Sequence, residues 1–145
     1  MRRPSVSPAA TTLPELAVAL VLVAIILGIA VPHVRHVVER AAVRGAVADI
    51  VTTLSTARQV AASNGGGVAV LIDTSTATIR VLHRGDTIVT RPLQHLFGVT
   101  LRTTRDSLAF DARGLGSGAA NLTFVIVRGI TADTVVVSRL GRVRW

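Results

Sequence analysis

The segment TTLPELAVALVLVAIILGIAVP, residues 11–32, decides the fold of this protein. It begins with polar residues and a proline, carries an acid at Glu15, and is then apolar from Leu16 to Val31. As a helix this apolar run would be about 24 Å long, slightly short of the roughly 30 Å hydrocarbon core of a bilayer. The sequence therefore predicts a helix that is apolar enough to cross a membrane. The acidic residue at its start requires an explanation.

Three types of segment fit the apolar run. A secretory signal peptide would use Arg2 and Arg3 as its basic region and Gly28–Ala30 as its cleavage site. A simple uncleaved anchor is the second type. Neither type gains anything from Glu15, because a carboxylate in hydrocarbon is costly unless it is paired. In the first turn of a helix, however, a negative charge suits the macrodipole and Pro14 loses no intrahelical hydrogen bond.

The third type explains the acid. The segment resembles the class III leader of type IV pilins and pseudopilins, in which a short basic leader and a small residue precede F-T-L-x-E-L and an apolar helix. Ala10 stands where glycine is usual, and Thr11 stands in place of phenylalanine. The resemblance implies that a prepilin peptidase on the cytoplasmic face cleaves between Ala10 and Thr11 and that Thr11 is then N-methylated. It also implies that Glu15 pairs with the terminal amine of a neighbouring subunit during filament assembly.

The helical pattern continues beyond the apolar run. Pro32 falls where many pilin helices have a proline, and we expect it to kink the helix. The run Asn64–Gly67 should end the helix, because Asn and Gly adopt the left-handed conformation that caps a helix. The sequence thus predicts one helix of about 50 residues. Apolar residues at steps of three and four mark its buried face: Val43, Val47, Ile50, Leu54, Ala57 and Ala61.

The remainder of the chain is predicted to form strands, with Arg84-Gly85-Asp86 as a turn and residues 114–118 as a flexible loop. The predicted fold is α+β, a pilin-like lollipop in which one long N-terminal helix packs on an antiparallel β-sheet domain. Its predicted parts are a leader (1–10), a transmembrane or filament-core half of the helix (11–32), an amphipathic half (33–64) and the β domain (65–145). The predicted strands are 68–73, 77–83, 87–91, 99–103, 107–111, 122–128, 134–138 and 142–145.

Three later segments of the sequence make the resemblance to pilin-like proteins more specific. ADIVTTLSTARQVAASNGGGVAVLID, LAFDARGLGSG and VVVSRLGRVRW are similar to segments of the GspH/FimT family of minor pseudopilins. The resemblance implies a single-pass protein of the bacterial inner membrane, with its β domain in the periplasm, that later enters a pilus or pseudopilus. The implied partners are other pilins or pseudopilins, the prepilin peptidase and methylase, and the membrane. No cofactor is implied.

Arginines dominate the end of the chain. Gly141–Arg144 is similar to the GRxR signature of the FimT branch, which is associated with DNA binding in natural transformation. Strand alternation places Arg142 and Arg144 on one face, about 7 Å apart, where they could contact successive phosphates; Arg139 could extend the patch. The alternative is a solvated strand. Trp145 could stack on an unpaired base, but we expect it in the core.

Composition excludes several function classes. The chain has 145 residues, no cysteine and a formal net charge of +8, which favours polyanions or anionic lipid as partners. Without cysteine there is neither a disulfide framework nor a thiolate metal site. His33 and His36 share a helical face but lack a third ligand, so we expect no metal site there. No nucleophile–base or paired-carboxylate set is recognisable, so the protein is not expected to be an enzyme.

Two functions remain. The first is a minor pseudopilin of a type II secretion system or type IV pilus-like filament, which acts by assembly and protein–protein contact, with a position near the filament tip as one option. The alternative is a FimT-like minor pilin that binds DNA through Arg139, Arg142 and Arg144 in natural transformation.

Overall fold

A single helix accounts for more than a third of the chain. The computed structural model describes residues 12–117, 121–138 and 142–145, and in it α1 spans Leu13–Ser63, 51 residues. The prediction of one long helix is confirmed. The chain divides into two compact units, residues 1–35 and 36–145. Helix α1 contributes residues 13–35 to the first unit and 36–63 to the second.

The helix ends as the sequence predicts. The backbone N–H of Asn64 donates to the carbonyl of Val60 at 3.0 Å, and that of Gly66 donates to the carbonyl of Ala61 at 2.7 Å. Gly66 has a φ of +97°, and a β-carbon there would stand 3.0 Å from the backbone nitrogen of Ala112. Glycine is therefore required at position 66 for two reasons. The backbone is in the left-handed conformation, and another loop approaches closely.

Strands and one short helix follow α1. The prediction of β strands in this region is confirmed, although several boundaries differ. The elements in chain order are β1 Val68–Asp73, β2 Thr78–His83, β3 Asp86–Pro92, α2 Leu93–Phe97, β4 Thr100–Thr103, β5 Ser107–Phe110, β6 Gly116–Ser117, β7 Leu122–Arg128, β8 Thr131–Val137 and β9 Val143–Arg144.

The strands form two antiparallel sheets. The first has the order β3-β2-β1-β5-β6 and the second the order β4-β7-β8-β9. Arg84 and Gly85 form the predicted turn between β2 and β3, whereas Asp86 is already the first residue of β3. Within the described strands, β6 and β9 each lie at one edge of their sheet.

The core lies between α1 and the buried faces of the strands. All six residues of the predicted helix face are buried, and Ala46 and Thr53 join them. Side chains alternate along the strands as a one-sided sheet requires: Val68, Val70 and Ile72 of β1 are buried. Phe124, at the middle of β7, is completely buried. Leucine, isoleucine, valine and alanine supply most of the remaining core.

Two local predictions were wrong, and one element was not predicted. The segment before β4 forms the helix α2, which was not anticipated. Residues 116–117 of the predicted flexible loop pair with Ala109 and Phe110 as β6. Strand β8 begins at Thr131 instead of residue 134, so that only Gly129 and Ile130 connect it to β7. Helix α2 and strand β6 are too short for a hydrophobic period to be recognised, and the start of β8 is decided by its pairing with β7.

Candidate functional sites: the apolar helix and the arginine strand

Glu15 lies in the first turn of α1 and is exposed. Its Oε2 atom accepts a hydrogen bond from the backbone N–H of Thr12 at 3.5 Å. Since α1 begins at Leu13, Thr12 is the N-cap residue and Glu15 is the third residue of the helix, the spacing of a capping box. The carboxylate therefore has a role within its own chain, and any role in subunit pairing must be separated from it by experiment.

The first half of α1 has an uncovered apolar surface. Every residue from Thr12 to Arg35 is exposed, and Leu13 and Ile29 are 86% and 71% exposed. By length and composition α1 is able to cross a membrane, and its most apolar window has a mean hydropathy of 2.7. Pro32, the predicted kink position, lies inside the helix. Ala10 and Thr11, the predicted cleavage and methylation residues, lie outside the described residues, as does Arg139.

The strand β9 positions the second candidate site. Val143 packs against the core, whereas Arg142 and Arg144 are exposed on either side of it. The backbone N–H of Ser138 donates to the carbonyl of Arg142 at 2.8 Å, and the N–H of Arg142 donates to Oγ of Ser138 at 3.1 Å. These bonds fix the start of β9 to the end of β8. The paired residues that follow are Val137 with Val143 and Val136 with Arg144.

Arg142 and Arg144 line one cavity. The cavity has a volume of about 410 Å³, and its lining also includes Asn121, Val136 and Ser138. No carboxylate contributes to this lining. Among the described residues, Arg91 pairs with Asp49 and His36 lies near Glu39, and neither Arg142 nor Arg144 belongs to these pairs. The cavity therefore presents two cations to solvent.

A second cavity adjoins β9 on the side of α1. Its volume is about 490 Å³, and Arg142 lines both cavities. Arg58 of α1 and Trp145 also line it, together with the apolar Val51 and Leu115. Arg58 was missed by the sequence analysis, because its helical position indicates only that it is exposed. We refer to this cavity, defined by Arg58, Arg142 and Trp145, as the α1–β9 cleft.

The prediction that Trp145 lies in the core was wrong. Its side chain is 71% exposed. The residue of β9 that packs against the core is instead Val143, which is half-buried and stands between the two exposed arginines. Since Trp145 comes two residues after Val143 but lies beyond the last pairing of β9, sheet geometry no longer directs its side chain inward.

The described residues include side chains of the kinds that bind metal ions. Among these residues no group of three or more His, Cys, Asp or Glu side chains could hold a metal ion. Nδ1 of His36 lies 3.9 Å from Oε2 of Glu39, an interaction between neighbours on one helix. His33 is exposed.

Two solved structures share the fold. Both are crystal structures of the type IV minor pilin FimU from Pseudomonas aeruginosa strain PAO1. The form in space group P21 has a TM-score of 0.61 and 18% identity and covers 72% of this chain and 88% of that chain. The form in space group P65 has a TM-score of 0.57 and 18% identity, and the match covers 70% of this chain and 90% of that chain. No protein-family model and no curated protein sequence matches the chain. The chain therefore has the fold of a type IV pilin, with one long N-terminal helix packed on antiparallel sheets.

Proposed function

We propose that the protein is a minor pilin-like subunit of a bacterial filament, held in the inner membrane by α1 before assembly, with its β domain in the periplasm. The observation that carries this proposal is the uncovered apolar surface of residues 12–35, which has Glu15 in its first turn. A continuous apolar surface of this extent requires lipid or other apolar helices around it. The likeness in fold to a type IV minor pilin supports the same role.

The proposed mechanism is assembly. Removal of the leader between Ala10 and Thr11 would leave the apolar helix on the mature protein and create a new amine, which would be methylated. In the filament the apolar surfaces of neighbouring α1 helices would pack together. Glu15 would pair with the amine of another subunit, which offsets the cost of burying its charge. The family-level proposal is a minor pseudopilin of the GspH/FimT type, in contact with other pilins or pseudopilins.

Substitution of Glu15 separates its two roles. Glu15→Gln retains a side chain that can complete a capping box but removes the charge, whereas Glu15→Ala removes both. We expect both variants to insert in the membrane and to be processed but to be absent from sheared filaments. Membrane fractionation, mass spectrometry of the N-terminus and immunoblotting of the filament fraction measure these steps. Normal incorporation of Glu15→Gln would show that the carboxylate acts only as a cap.

A second candidate function is DNA binding by the β9 arginines. The observation that favours it is the cavity lined by Arg142 and Arg144 without a carboxylate. Guanidinium groups bind phosphate oxygens in a bidentate manner, and each phosphate contact makes the affinity dependent on salt. Arg139 is a candidate third member of this set.

The test compares full-length protein in neutral detergent micelles with Arg142→Ala/Arg144→Ala at two salt concentrations. Arg102→Ala is the matched control, because Arg102 is exposed on β4 at the opposite edge of the same sheet. We expect the double variant to bind DNA weakly and with a smaller salt slope, and the control to bind like the native protein. Equal residual binding by all forms would leave only the general positive charge and would contradict this function.

A further inference from the structure

The α1–β9 cleft differs in chemistry from the neighbouring cavity that Arg142 and Arg144 share. Its lining combines two guanidinium groups with an accessible indole and an apolar floor formed by Val51, Leu54 and Leu115. Among the described residues, no Asp or Glu side chain contributes to the lining. A cavity that served only phosphates would gain nothing from the apolar floor or from the indole.

Arg58 is held at the cleft by close packing. A β-carbon on Gly114 would stand 3.0 Å from Cγ and 3.2 Å from Nε of Arg58. The backbone of Gly114 therefore lies directly against the aliphatic part of the arginine. Arg58 and Arg142 line the same cleft, and the aliphatic part of an arginine packs against other surface while its charged head stays accessible to solvent.

The indole is available to a ligand. Trp145 is 71% exposed although it lines the cleft, and it is the only tryptophan in the chain. An aromatic side chain next to cations is the combination that binds single-stranded nucleic acid, in which bases stack on the ring and phosphates meet the arginines. A duplex keeps its bases stacked inside and would present only phosphates to such a surface.

We propose that the α1–β9 cleft binds an unpaired nucleotide of single-stranded DNA, with a base against Trp145 and its phosphates between Arg58 and Arg142. The strand would continue into the adjoining cavity toward Arg144, because Arg142 lines both. This inference rests on the second candidate function and adds to it a preference for single strands and a cation from α1.

The test uses the full-length protein in neutral detergent micelles. Fluorescence anisotropy measures the affinity for labelled oligo(dT) and for a duplex of the same length, and quenching of Trp145 fluorescence reports on stacking. The variants are Arg58→Ala, Trp145→Ala, Arg142→Ala/Arg144→Ala and the control Arg102→Ala. Circular dichroism of each variant verifies that the fold is retained.

We expect the native protein to bind oligo(dT) more tightly than the duplex and with quenching of the indole. Trp145→Ala should weaken the binding of oligo(dT) about 10-fold and leave duplex binding unchanged. Arg58→Ala should weaken oligo(dT) binding and reduce its salt slope by about 0.7, the value for one phosphate contact on a single strand. Arg102→Ala should bind like the native protein.

Three results would overturn the inference. If Arg142→Ala/Arg144→Ala weakens binding while Arg58→Ala and Trp145→Ala behave like Arg102→Ala, the β9 arginines bind DNA and the cleft does not take part. The same conclusion follows if the duplex is bound as tightly as oligo(dT) without quenching. If the native protein binds neither DNA, the inference and the second candidate function both fail, and the filament role is unaffected.

Discussion

Gly45 of α1 lies directly against the aromatic ring of Phe97 in α2. A β-carbon at Gly45 would stand 2.8 Å from Cε1 and 3.1 Å from Cδ1 of the ring. Glycine inside a helix normally costs about 1 kcal/mol relative to alanine. Here it permits α2 to approach α1, and the close packing of Phe97 offsets the low helix propensity.

We therefore expect Gly45→Ala to destabilise the protein by about 1 kcal/mol, since displacement of the ring costs more than the helix propensity gained. Urea unfolding of the full chain in neutral detergent measures the free energy. The control is the double variant Gly45→Ala/Phe97→Ala, compared with Phe97→Ala alone. Without the ring, alanine at position 45 should be stabilising, and a coupling energy near zero would contradict the explanation.

Gly129 at the β7–β8 turn is in contact with Glu39 of α1. It has a φ of +57°, and a β-carbon there would lie 2.5 Å from Cδ of Glu39. We expect Gly129→Ala to lower the free energy of unfolding by about 2 kcal/mol through left-handed strain and displacement of the carboxylate. Gly65→Ala is the matched control, because Gly65 has a φ of +74° and open space around it. An equal loss in both variants would show that the contact with Glu39 contributes nothing.

Asp73 organises the turn between β1 and β2. Hydrogen bonds from the hydroxyls of Ser75 and Thr76 lower the pKa of Asp73 to about 2 from 3.8. The Ser75 hydroxyl lies 2.6 Å from Oδ1 and the Thr76 hydroxyl 2.9 Å from Oδ2. A depressed pKa stabilises the fold above the unfolded-state value, and this contribution is lost as the pH falls from about 3.8 to about 2.

Asp73→Asn should therefore flatten the dependence of stability on pH in this acid range, as measured by urea unfolding at a series of pH values. Ser75→Ala should raise the pKa of Asp73 toward 3.8, which NMR titration of the carboxyl carbon detects. An unchanged pKa in Ser75→Ala would exclude the hydroxyl as the main cause.

Trp145 and Phe124 are the two large aromatic residues whose burial differs most. Phe124 is completely buried, whereas Trp145 is 71% exposed. We expect Phe124→Ala to cost about 3–5 kcal/mol of stability, from lost burial and a residual cavity. Trp145→Ala should change stability by less than about 0.5 kcal/mol, as is usual for exposed positions. A large loss of unfolding free energy in Trp145→Ala, measured by urea unfolding, would show that Trp145 is part of the core.

The sequence predicted those elements whose signals are local. The apolar run after Glu15, the three-and-four spacing from Val43 to Ala61 and the glycines after Asn64 each act through residues within a few turns of one another. A helix period repeated over many turns is hard to mistake, and a glycine run ends a helix in any context. The pairing pattern of β1 and β2 was predictable for the same reason, because alternation and a turn of Thr and Ser lie in one short stretch.

The tertiary structure alone decided where distant residues meet. Helix α2 has only five residues, so its period could not be recognised, and its position depends on Gly45. The exposure of Trp145 depends on where the pairing of β9 with β8 ends. Arg58 lies in α1 and Arg142 lies directly before β9, and only the packing of α1 beside β9 brings both to one cleft. Local chemistry determines elements, whereas contacts between elements depend on how all the buried faces fit together at once.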